Sequence, residues 1–175
     1  MDYFLLKQDE RYKDVPVIMQ LSSKIDIKNL NYEDIHNVPD TVIFYVKATP
    51  ESSYLDIMDR DLFLVSEKLK KLLEKYQPDT VFKTIVLIDS ENKRQEKYFL
   101  PVFKKVDALS PKCEFTRDKS VITKLILKKD GIMDYKIFSV SDGVKPTVIV
   151  RLDAAESILR RYFKGVCLKR IPIED

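Results

Sequence analysis

Residues 148–173 read VIVRLDAAESILRRYFKGVCLKRIPI, and residues 62–88 read LFLVSEKLKKLLEKYQPDTVFKTIVLI. Both stretches pass from a short apolar run into a helical pattern, then through a turn into a second extended run. In the earlier stretch Ser66 stands as an N-cap with Glu67 in the first turn, where the helix dipole favours an acid. Leu69, Leu72, Leu73 and Tyr76 follow at i, i+3, i+4 and i+7, which makes one apolar stripe. Gln77-Pro78-Asp79 ends the helix. In the later stretch Asp153 takes the N-cap position and Glu156 lies at the spacing of a capping box. Ala155, Ile158, Leu159 and Tyr162 form its stripe, each 86 positions after its counterpart. Lys164-Gly165 closes that helix with a glycine in the C-terminal position. The two stretches therefore read as two strand–helix–strand units, with Leu69, Leu72, Leu73, Ala155, Ile158 and Leu159 expected in the core.

Around these units the chain is mostly extended. Tyr3–Leu6 reads as a first strand, Val15–Leu21 as an edge run marked by Pro16, and Val42–Val46 as a β-branched and aromatic strand. Tyr98–Leu109, Val121–Leu127 and Tyr135–Val140 continue the pattern, with Asp130-Gly131 and Asp142-Gly143 as turn signals. Short connections between consecutive strands favour antiparallel pairing. The fold class expected is α+β: a mixed, mainly antiparallel sheet with two strand–helix–strand units and few helices.

At 175 residues with 45% apolar and 34% charged side chains, the chain can bury a sizeable core. No apolar run approaches the roughly 18 residues that a membrane span needs. The opening MDYFLLKQDERYKD lacks the basic and apolar regions of a secretion signal. Cys113 and Cys167 fall short of a disulfide framework, and Cys167 reads as a small buried hydrophobe. A cytoplasmic protein is expected. Residues 1–61 carry 7 Lys/Arg and 12 Asp/Glu, a net −5, whereas residues 62–175 carry 24 and 16, a net +8. This asymmetry divides the chain into an acidic N-terminal lobe, 1–61, and an α+β domain, 62–175, unless the two share one core.

Few residues offer chemistry. With three Gly there is no glycine-rich phosphate loop, and one His with no paired Cys gives no zinc ligand set. His36 lies in a polar loop, and Ser52, His36 and Asp56 form a triad only on paper, without a nucleophile elbow. No catalytic residue, metal or cofactor is expected. Lys68, Lys70, Lys71, Lys75, Arg160, Arg161 and Lys164 decorate the helices as phosphate-binding side chains would. Glu67, Glu74 and Glu156 interrupt them, and the tyrosines occupy stripe positions where they cannot stack on bases.

The order DLFLVSEKLKKLLEKY, KYFLPVFKKVDALSPKC and TVIVRLDAAESILRRYFKGVCLKRIPI resembles a family of bacterial immunity proteins encoded beside polymorphic toxins. Leu64-Val65-Ser66, Val106-Asp107-Ala108-Leu109, Gly165-Val166 and Pro172 carry the likeness, which spans roughly residues 60–175. The resemblance implies a cytosolic protein that binds and neutralises one cognate toxin without catalysis. The alternative reading is a nucleic-acid-binding or regulatory interaction module. The acidic connection before the first unit is the expected contact surface. Glu51, Asp56, Asp59 and Asp61 would attract a basic toxin, with Tyr54, Ile57 and Met58 as apolar contacts.

Overall fold

A computed structural model describes all of residues 1–175. The strands are β1 (Tyr3–Gln8), β2 (Val17–Ile18), β3 (Thr41–Lys47), β4 (Ile57–Met58), β5 (Leu64–Val65), β6 (Val81–Asp89) and β7 (Arg94–Val102). There follow β8 (Glu114–Phe115), β9 (Ile122–Lys124), β10 (Leu127–Lys128), β11 (Ile137–Ser139), β12 (Val148–Arg151), β13 (Val166–Ile171) and β14 (Ile173–Glu174). The helices are α1 (Leu21–Lys24), α2 (Glu67–Tyr76) and α3 (Leu152–Leu159). One sheet has the order β2-β3-β6-β7-β5-β4 and a second the order β11-β12-β1-β13, with β10-β14 and β8-β9 as small pairs. Only β3–β6 and β10–β14 pair in parallel, so the fold is the mixed, mainly antiparallel α+β arrangement expected.

Both strand–helix–strand units are present, and both are split in the same way. In the first, β5 and β6 each pair antiparallel with β7, which lies between them. In the second, β12 and β13 each pair antiparallel with β1. The two strands flanking each helix thus run parallel, separated by a strand from elsewhere in the chain. The two halves share a core, because α2 touches α3. Leu69, Leu72 and Leu73 of α2 join Ala154, Ala155 and Ile158 of α3, together with Phe99 of one sheet and Leu6 and Val148 of the other. Residues 1–61 add β1 to one sheet and β3 to the other, so they are woven into the same body as residues 62–175.

The second helix departs from its expected pattern. Arg151, not Asp153, is the N-cap residue, and it makes no side-chain cap. The Asp153 carboxylate is held by the Arg151 guanidinium through two bonds of 2.9 Å. The helix also ends early, at Leu159, where Arg161 N–H donates to the Ile158 carbonyl and tightens the last turn. Tyr162 then turns left-handed, with φ 54°. Leu159 and Tyr162 consequently leave the stripe and stand 64% and 92% exposed, while Ala154 and Ser157 are buried instead. Gly165, rather than ending the helix, begins the return to β13 at φ +80°, and a Cβ there would lie 2.7 Å from Leu55 Cδ1. Cys167 is only half-buried.

Leu72→Ala is expected to destabilise the protein by about 2–5 kcal/mol, since it empties a filled core position. Leu159→Ala should change stability by no more than about 0.5 kcal/mol. Chemical denaturation of the two variants checks the difference, and equal losses would contradict it.

Candidate functional site

The acidic connection before α2 is built into the interior. Asp56 is a clamp: its Oδ1 accepts from Ser66 Oγ at 2.6 Å and its Oδ2 from Lys164 N–H at 2.7 Å. Its own N–H donates to the Lys164 carbonyl, and its carbonyl accepts from Ser66 N–H. Ser66 in turn caps α2 by accepting from Leu69 N–H. A single carboxylate therefore fixes the start of the first helix to the turn after the second. Asp59 and Gln8 exchange bonds of 3.0 Å in both directions, and Asp61 Oδ2 accepts from Ile18 N–H at 2.9 Å. These three acids serve backbone donors of their own chain.

Ile57 and Met58 form β4 and are 0% and 5% exposed, so the apolar contact expected of them is internal packing. They are buried on opposite faces, Ile57 in the cluster with α2 and α3 and Met58 in the cluster with Val42 and Phe44, and the polar residues on either side hide this in the sequence. Tyr54 is half-buried beneath the Arg94 guanidinium, which lies 3.8 Å from its ring centre. Its hydroxyl is buried without a partner, and that burial pushes its pKa up. Glu51 is exposed.

The other candidates are likewise held apart. Ser52 Oγ donates to Asp14 at 2.7 Å, and His36 Nδ1 lies 2.8 Å from the Glu33 carbonyl, so neither is joined to Asp56. No group of three or more His, Cys, Asp or Glu side chains is placed to hold a metal ion. The helix cations are largely engaged at home. Lys68 lies over Phe163, Lys164 over Tyr12, and Arg161 donates to both Ser157 oxygens. A cleft of about 520 Å³ lies beside β1, where Lys7, Asp59 and Lys145 mix with Leu5, Leu6 and Phe63.

One further surface was missed by the sequence reading. The β3–β6 pair sets Ile43 beside Val86 and Tyr45 beside Ile88. All four point to the side of the sheet on which α2 sits, because β3 alternates strictly and buries Val42, Phe44 and Val46 on the other side. α2 covers Phe99 and the neighbouring end of that face and stops there. Ile43 and Tyr45 remain 45% and 51% exposed. Apolar residues in both phases of VIFYV were the available signal.

The profile of the immunity protein family Imm11 matches residues 3–169. The chain belongs to this family. The match begins at β1 and runs into β13, so the Imm11 region includes the first split unit, all but the end of the second, and the residues before the first. No curated protein matches the chain. No helix is long and apolar enough to cross a membrane.

Asp56→Ala is expected to destabilise the fold by about 1.5–3 kcal/mol, because it strips a charged acceptor from Ser66 and Lys164. Tyr54→Phe should leave stability unchanged or raise it by up to about 1 kcal/mol, since the hydroxyl it removes bonds nothing. Thermal denaturation of both variants checks the pair, and a marked loss in Tyr54→Phe would contradict the second.

Proposed function

We propose that the chain is a cytoplasmic immunity protein that binds one cognate bacterial toxin and neutralises it by occupying its surface, without catalysis. Membership of an immunity family over residues 3–169 is the observation that carries this reading. The physical design supports it. Two split units share one core, and their connections are fixed by Asp56, Asp59 and Asp61. Such a body presents preformed surfaces, and a preformed surface loses little conformational entropy on binding.

The test is to express the toxin domain encoded by the neighbouring gene with and without this chain. Co-expression should restore growth, and the purified proteins should form a stable complex. A toxin that stays fully active beside a molar excess of the folded chain would refute the reading.

A further inference from the structure

Parallel strands are normally covered on both faces, and their sequences show it as near-continuous apolar runs. The β3 run VIFYV and the β6 run IVLI are of this kind, and β3–β6 is the parallel pair of the six-stranded sheet. Yet only one face of the pair is covered. Val42, Phe44, Val46, Ile85 and Leu87 lie in a filled core, whereas Ile43, Tyr45, Val86 and Ile88 face outward beyond the reach of α2. Met19 extends the patch, with its N–H bonded to the Tyr45 carbonyl at 3.0 Å and its side chain 44% exposed. Exposed Met19, Ile43 and Tyr45 and half-buried Val86 and Ile88 thus lie side by side on one face as an apolar surface, of the kind that marks a contact site.

The charges on this face of the strands have one sign. At the outward positions of β3, β6 and β7 the only charged residues are Lys47 and Lys97. Lys97 Nζ stands 5.4 Å from the Phe99 ring centre, and Lys70 of α2 stands 4.9 Å from the same ring. No carboxylate occupies an outward position on these three strands. A second copy of this chain would bring lysine rims together across a desolvated contact, which repulsion opposes.

We propose that this bare face of β3 and β6 is the surface that the toxin covers, and that the toxin meets it with an apolar patch rimmed by carboxylates. The inference rests on the function proposed above and adds the place and chemistry of contact. Tyr45 and Ile43 are the anchors, both held on β3 where it pairs with β6, and aromatic anchors of this kind dominate binding energy. Lys47 and Lys97 supply the complementary field, which acts chiefly on association rate and specificity.

The test uses the full-length chain and the purified toxin domain from the neighbouring gene, with affinity measured by calorimetry. Tyr45→Ala should weaken binding by at least about 30-fold. Ile43→Thr should weaken it as well. Both variants should keep the wild-type thermal midpoint, because the side chains are half-exposed and outside the cores. Lys47 and Lys97 are both exposed, and the double variant Lys47→Glu, Lys97→Glu should slow association, with the difference shrinking as salt is raised. Binding within about two-fold of wild type in Tyr45→Ala and an unchanged association rate in the double lysine variant would overturn the proposal while leaving the immunity reading intact. A wild-type chain that does not bind the toxin would remove both. Sedimentation of the free chain as a dimer that Tyr45→Ala dissociates would assign the face to a second copy and overturn the proposal.

Discussion

The contact between α2 and α3 holds two incomplete halves together. Each strand–helix–strand unit is open on its own, because its two strands are separated by a third: the hairpin partner that follows β6 in the first unit, and a strand from the start of the chain in the second. β7 fills the gap in the first unit and β1 fills it in the second. Leu69, Leu72 and Leu73 on one helix and Ala154, Ala155 and Ile158 on the other bury their stripes in one common cluster. The small alanines let the second helix come close, and the leucines of the first fill the space. Asp56 then ties the N-terminus of α2 to the turn after α3, and Gly165 allows that turn to pass against Leu55. Packing, a polar clamp and a permissive glycine act on the same joint.

The parts of this arrangement that are local could be read in the sequence. The 3.6-residue stripe of α2, its Ser66 cap and the apolar strands beside it are encoded within a few residues of each other. The stripe of the second helix was legible only for its first two members. Its end depends on the tight last turn and on Tyr162 adopting a left-handed backbone, which costs a non-glycine residue about 1–2 kcal/mol and is fixed by the surrounding structure. The roles of Asp56, Asp59 and Asp61 were not legible at all. A carboxylate that accepts backbone N–H bonds from residues 108, 51 and 43 positions away looks in the sequence like a solvated acid. The −5 charge of residues 1–61 was therefore visible, but the use made of three of its carboxylates was not.

The bare face of β3 and β6 shows the same division. Apolar residues in both phases of β3 are plain in VIFYV, and that pattern ordinarily means a strand buried on both sides. Which face α2 would leave uncovered depends on the pairing of β6 with β7 and on where the helix ends. The bare face follows from the joint itself. Since α2 is drawn toward α3 to complete the shared core, it covers the β5–β7 side of the sheet and cannot also cover β3. The constraint that closes the fold thereby exposes Ile43 and Tyr45, and membership of an immunity family supplies a reason for leaving them open.

The central claim is that the two split units form one cooperative body through α2 and α3. Native-state hydrogen exchange of the free chain tests it most directly, because it gives a separate opening free energy for each helix. The account predicts that the slowest amides of α2 and α3 exchange with the same opening free energy, equal to that of global unfolding. Exchange of α3 at a clearly lower free energy while α2 stays protected would show two independent units and contradict it.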